Sequence, residues 1–320
     1  MKQNKIAVFA TDGLVGHSIR SYLIPALIEM GMEPVLYSVG KPKRIQKLNQ
    51  AVLDINFIDE NILTNVVFPY LDSHPPLKTN DGELYRDMFY TNRQLADHYG
   101  FEFYEGLSPN DADVIDRVKN DPEITGGLSI RNYHVLKNDI IEAFGPDRFL
   151  WNIHGGKLPE YKGLFIPFYM LENGETNYGW SLHCIDRGID TGAVIDTIYQ
   201  DIDKNRDLFE TYLSMAPDGA DMIENAVRKF HSEGQINTER QSPHVQGGYY
   251  PFPSDENFKR WETQGIVYSS YHNLPDIYAN AFAHEGTSRH TDIRNLVIQA
   301  LANRFRKENT AISTPQALTP

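Results

Sequence analysis

The order strand, glycine-bearing turn, helix, strand at the start of this chain constrains its fold more than any other feature. Lys5 to Ala10 is an apolar run of strand length. Thr11-Asp12-Gly13-Leu14-Val15-Gly16-His17 reads as a turn, and Ser18 to Met30 carries Ile19, Leu23, Leu27 and Met30 at helical spacing. Gly31 stands where such a helix stops, and Pro25 predicts a kink within it. Glu33 to Val39 is a second apolar run. Two strands joined through a helix lie parallel, so the expectation is an α/β fold: a doubly wound, Rossmann-like, mostly parallel sheet with a smaller C-terminal appendage.

The same reading continues downstream. It predicts a helix over Thr91–Tyr99 closed by Gly100, a short strand over Phe101–Tyr104 and a helix over Asp111–Lys119. Ile124 to Ile130 is a strand carrying Gly126 and Gly127, a pattern that often marks close approach of a ligand or another backbone. Asn138 is placed as the cap of a helix over Asp139–Phe144. Residues Asp207 to Phe230 read as helical with a break at Pro217, and Thr291 to Phe305 as a further helix. Lys41, Lys43, Arg44 and Lys47 form a small basic cluster that reads as a solvated helix face or as a phosphate contact.

Composition narrows the function. The chain has 320 residues, enough for a large core, and carries a net charge of −13, which argues against a broad nucleic-acid footprint. It holds no apolar run long enough to span a bilayer, so no membrane association is expected. Its lone Cys184 excludes a disulfide framework and a cysteine-rich metal site; a reducing, cytoplasmic setting is the expectation. The turn at Gly13–Gly16 lacks a third glycine, and the strand ending Tyr37-Ser38-Val39 lacks a closing carboxylate, so it does not make a dinucleotide fingerprint. Either it is a tight βα turn, or its backbone N–H groups, Gly13 among them, receive an anionic part of a substrate.

Chemistry concentrates between Phe149 and Ile195. Asn152 and His154 lie two apart at the end of a strand-like run and so share a face. Trp180 to Ile185 is another such run and leads to Asp186-Arg187-Gly188-Ile189-Asp190-Thr191-Gly192. An amide, an imidazole and a carboxylate are therefore offered where strands give way to loops, the place where open α/β sheets bind ligands. An Asn amide can donate to a developing oxyanion, and a His can take and return a proton. Singly, Asn152 and Asp190 also read as turn residues and His154 as a loop histidine. His183 reads as a packed strand residue and Asp186 as a turn former, although the two could exchange roles with His154 and Asp190. Ser129 and Ser181 lack the context of an activated nucleophile, so the set suits direct attack by a substrate nucleophile on a carbonyl. No metal is implied at these spacings.

The string Asn152-Ile153-His154, then Leu158-Pro159 and Gly163, then His183 and Asp186-Arg187-Gly188-Ile189-Asp190-Thr191-Gly192, resembles the N10-formyltetrahydrofolate-dependent formyltransferases. These include the methionyl-tRNA, glycinamide ribonucleotide and sugar-nucleotide amine enzymes, and the last are closest in kind. The resemblance implies residues 1–204 as the formyltransferase catalytic domain, with 205–307 as a helical linker and appendage; the composition of 308–320 reads as a disordered tail. It implies that Asn152 polarises a formyl oxygen, His154 handles the proton and Asp190 supports the imidazole, through a tetrahedral intermediate. It implies N10-formyltetrahydrofolate as donor, packed against Leu128, Ile130, Arg131, Val135, Asp186 and Ile189. Gly155-Gly156-Lys157 departs from the family pattern, which raises Lys157 as a contact for an anionic acceptor, beside the alternative of a solvent-facing lysine. Gly13, Tyr161, Tyr249 and Tyr250 complete the expected acceptor site; the two last could stack on a nucleobase or pack the appendage. The expected acceptor is the primary amine of a small molecule, above all a nucleotide-linked amino sugar. Alternatives are another small amine such as hydroxyornithine, or water in a formyltetrahydrofolate hydrolase. A homodimer is left open.

Overall fold

The computed structural model describes residues 4–40, 48–203, 205–242 and 248–311, with side chains described as far as Phe305. The basic cluster between Lys41 and Lys47 therefore lies outside the described residues, as do Gly247 and residues 312–320. The centre is a seven-stranded sheet. Its strands are β1 (Asn4–Ala10), β2 (Met32–Ser38), β3 (Glu102–Glu105), β4 (Ile124–Ile130), β5 (Phe149–His154), β7 (Asn177–Cys184) and β8 (Val194–Asp201), in the order β3-β2-β1-β4-β5-β7-β8. Neighbours from β3 to β5 run parallel, and β7 and β8 close the edge antiparallel. The short β6 (Tyr161–Gly163) pairs separately with β9 (Gly248–Tyr250).

Parallel strands need both faces covered, and β1 and β4 are accordingly buried almost end to end. Ile6, Val8 and Ala10 face one core, and Ala7 and Phe9 the other. The second face is closed by α5 (Ala112–Asn120) and α6 (Asn138–Phe144), through Val114, Val118, Ile140 and Phe144. The first is closed by α1 (Leu14–Glu29), which packs on α9 (Ala216–Glu233). That core also takes in Phe209 of α8 (Leu208–Ser214), Trp261 of α10 (Asp255–Thr263), Tyr278 of α11 (Leu274–Phe282) and Val297 of α12 (Ser288–Ala311). The C-terminal segment thus shares the sheet's own core.

Several local expectations meet a different outcome. The turn after β1 is short: α1 begins at Leu14, so Gly16 lies in its first turn, and the helix runs through Pro25 to a stop at left-handed Gly31. The cap of α6 is Lys137, with Asn138 already helical. Helix α4 (Asn92–Tyr99) is capped by Thr91, whose side chain and Gln94 form a reciprocal pair, and ends at left-handed Gly100. The break between α8 and α9 falls at Met215, and Pro217 opens α9, where its missing N–H costs no helical bond. The last helix reaches Ala311, so the expected tail loses its first residues to α12.

Gly126 and Gly127 make room for the core and not for a ligand. A Cβ at Gly126 would lie 2.2 Å from the Phe149 ring, and one at Gly127 2.5 Å from the Phe144 ring. Between β2 and α4 the chain forms α2 (Gln50–Asn56), two single-turn π-helical segments (Phe57–Asn61 and Leu63–Val67) and α3 (Phe68–Asp72). Sequence periodicity does not foretell this run, because i→i+5 turns rotate the apolar face away from the 3.6-residue pattern.

Candidate active site

Strand β5 delivers Asn152 and His154 to the carboxyl edge of the sheet on one face, as alternation requires. Antiparallel pairing sets Asn152 opposite His183 and His154 opposite Ser181. Pairing therefore brings His183 into the site, where the sequence placed a packing residue. Its Nδ1–H donates to the Cys184 carbonyl at 2.8 Å, so Nε2 carries the lone pair and accepts from Asn152 Nδ2 at 3.1 Å. One amide hydrogen of Asn152 is thereby held, and the orientation of the other follows.

His154 is buried, and its tautomer is fixed in the same manner. Its Nε2–H donates to the Tyr161 carbonyl at 2.7 Å, which leaves Nδ1 as the basic nitrogen. That nitrogen lies 3.6 Å from Asp190 Oδ2, while Asp190 Oδ1 lies 3.6 Å from His183 Nε2. Burial pushes the His154 imidazole below its usual range, and the Asp190 charge opposes that. Burial also pushes the Asp190 carboxyl up, yet the positive charge of His154 once protonated and the Gly163 N–H hold it down at about 2. The result is a neutral base beside a fixed carboxylate.

The carboxylate is held by backbone. Asp190 adopts φ 53°, its Oδ2 accepts from Gly163 N at 2.9 Å, and Gln241 Nε2 donates to the carbonyls of Asp190 at 2.9 Å and Gly192 at 2.7 Å. Gly163 itself has φ 106° and abuts the Tyr250 carbonyl, so β9 braces the strand that grips Asp190. Nothing in sequence order signals Gln241, which lies 51 residues beyond Asp190.

The loop after β5 is drawn in tightly. Ser181 Oγ donates to Gly156 O at 2.9 Å and accepts from Leu158 N at 3.1 Å, and Tyr212 OH donates to Gly155 O at 2.8 Å. A Cβ on Gly156 would lie 2.7 Å from the Tyr161 carbonyl and 2.8 Å from His154 Nε2. Gly156 thus admits the His154–Tyr161 hydrogen bond.

Other expected residues are placed differently. Lys157 neither faces solvent nor an open acceptor site: it pairs with Glu175 and donates to Asn177 Oδ1 at 3.0 Å. Tyr161 donates to Glu175 Oε1 at 2.8 Å and stacks on Tyr250 with ring centroids 5.3 Å apart, so both rings pack β6 against β9. Tyr249 is 55% exposed. Leu128 and Ile130 are buried in the sheet between β1 and β5. Val135 and Ile189 stand exposed on the loops after β4 and β7. Asp186 closes its own loop, accepting from Gly188 N at 2.9 Å and Thr191 Oγ1 at 2.6 Å. Arg131, at φ 49°, turns its guanidinium to Asp59. Gly13 faces that same carboxylate and not an open anion site: a Cβ there would lie 2.8 Å from Asp59 Oδ2.

Fold and site together define an α/β protein with an amide donor and a buried imidazole base at the carboxyl edge of a doubly wound sheet. Residues 131–226 match the formyl transferase family. Methionyl-tRNA formyltransferase of Clostridioides difficile (strain 630) is 26% identical over 160 residues, which is 50% of this chain and 50% of that protein. The trifunctional purine biosynthetic protein adenosine-3 of Drosophila pseudoobscura pseudoobscura is 48% identical over 46 residues, 14% of this chain and 3% of its own length. The N-formyltransferase from Helicobacter canadensis, solved with folinic acid and dTDP-3-aminofucose, is 18% identical with a TM-score of 0.46, over 78% of this chain and 71% of that one. The chain spans about half the length of the curated relatives it matches.

Proposed function

We propose that the protein is an N-formyltransferase that moves a formyl group from N10-formyltetrahydrofolate to the primary amine of a small molecule. The observation that carries this reading is the cluster of Asn152, His183, Asp190 and His154, in which Asn152 is hydrogen-bonded to His183 and Asp190 lies 3.6 Å from both imidazoles, in the stretch that matches the family. As the acceptor nitrogen bonds to the formyl carbon, the free N–H of Asn152 donates to the oxygen, which gains negative charge. His154 Nδ1 takes the proton released by the amine, and Asp190 stabilises the imidazolium so formed. As the bond from the formyl carbon to N10 breaks, that proton passes to the leaving nitrogen.

The donor fits the surface as well as the chemistry. Val135 and Ile189, 46% and 45% exposed on the loops after β4 and β7, offer apolar cover for it. For the acceptor, Tyr249, Phe252 and Leu164 form an exposed apolar ledge along β9 and the end of β6, next to the strand whose Gly163 holds Asp190. We assign this ledge to the carrier of the amine, with a nucleotide-linked amino sugar as the preferred class. The net charge of −13 disfavours a tRNA.

The test incubates the protein with N10-formyltetrahydrofolate and a panel: a nucleotide-linked amino sugar, glycinamide ribonucleotide, hydroxyornithine, aminoacylated tRNA, and no amine. Tetrahydrofolate release that depends on one small amine is the expected result. Equal release without any amine would replace transfer by hydrolysis.

A further inference from the structure

The N-terminus of α1 is already occupied by an anion that the chain itself supplies. This helix has no acidic residue in its first turn, and Gly13, its capping residue, has no side chain to offer. Its free N–H groups would ordinarily attract a phosphate or carboxylate. Instead Val15 N donates to Asp59 Oδ1 at 3.1 Å, from a residue 44 positions away. The carboxylate lies flat over Gly13, where a Cβ would meet Oδ2 at 2.8 Å, Cγ at 2.9 Å and Oδ1 at 3.1 Å. Arg131 closes the other side: its guanidinium pairs with Asp59 Oδ2, and its stem packs over Gly16.

Asp59 is held in place from behind. It is 1% exposed, within the π-helical segment Phe57–Asn61, and Tyr278 OH donates to the Ile58 carbonyl at 2.5 Å. The neighbouring Glu60 accepts from Tyr133 OH at 3.0 Å. Helix N–H, guanidinium and the glycine that permits close approach are the parts of a phosphate cradle, here filled by a carboxylate.

We infer that Asp59 is a specificity-determining residue: its carboxylate occupies the anion position of the β1–α1 turn and bars a phosphate-bearing group from it. The acceptor, on the transfer reading above, is therefore held elsewhere, and any phosphate it carries does not sit on the Gly13–Gly16 turn.

The experiment titrates inorganic phosphate into wild type, Asp59→Ala and Asp59→Ser, by calorimetry and by the backbone amide resonance of Val15. Wild type is expected to show no saturable binding and no shift at Val15. Both variants, with the cradle vacated, are expected to bind phosphate saturably in the roughly millimolar range and to shift the Val15 amide. Adding Arg131→Gln to either variant should abolish that gain. Folded variants that bind no phosphate, or binding that survives Arg131→Gln, would overturn the proposal. So would saturable phosphate binding to wild type that shifts Val15, and this arm decides the matter even if neither variant folds. No formyl donor enters these measurements, so their failure is distinct from failure of the transfer assay.

Discussion

At the scale of single residues, the proposed transfer rests on which nitrogen of each imidazole carries a proton. The carbonyl of Tyr161 fixes His154 with Nδ1 basic, and that of Cys184 fixes His183 with Nε2 accepting. Asn152→Ala removes the amide that His183 orients, and kcat is expected to fall by roughly 10²–10³, as measured by initial rates of formyl transfer. Unchanged kcat would remove Asn152 from the chemistry. Because His154 is shifted below its ordinary value of 6.5 and must be neutral to act as base, turnover should persist as pH falls past that value. Asp190 links the site to stability. Its carboxyl titrates at about 2 in the fold against an ordinary 3.8, so its contribution is present above the higher value and lost as pH falls through the lower. That contribution is on the order of 2 kcal/mol. Urea denaturation of wild type and Asp190→Asn should show their stability difference shrinking by about this amount between roughly pH 5 and pH 2.

At the scale of elements, the site depends on two tight approaches of backbone. The loop after β5 folds back so that Gly156 lies against both His154 and the Tyr161 carbonyl. Gly156→Ala inserts a methyl group where no space exists. It should cost about 1–3 kcal/mol in urea denaturation and lower kcat, because the base is displaced from its carbonyl. Normal turnover with normal stability would show that the His154–Tyr161 bond is dispensable. The β6–β9 pair makes the second approach, and it explains why Tyr161 and Tyr250 serve packing: their stacked rings hold the strand that presents Gly163 N to Asp190.

At the scale of the whole molecule, the segment after the sheet completes the core. Phe209, Trp261, Tyr278 and Val297 join the same cluster as Ile6, Val8 and Leu128, and α9 covers α1. Calorimetric unfolding is therefore expected as a single endotherm. Two resolved transitions, one belonging to residues 205–307, would contradict the shared core.

What the sequence by itself determined is what depends on local pattern. The apolar runs at Lys5–Ala10, Glu33–Val39 and Ile124–Ile130 specify buried strands, because burial on both faces leaves no alternation. The spacing of Asn152 and His154 places them on one face because side chains alternate along a strand. Tertiary structure alone decided the rest. His183 enters the site only through the register of β5 with β7, and Gln241 and Tyr250 reach it from beyond the sheet. Gly126 and Gly127 serve Phe149 and Phe144, contacts that no local window contains. The anion at the β1–α1 turn is Asp59, brought across 44 residues by a π-helical run whose period the sequence does not display. Long-range polar contacts of this kind arise from pairing of distant segments, and pairing is fixed only when the sheet is assembled.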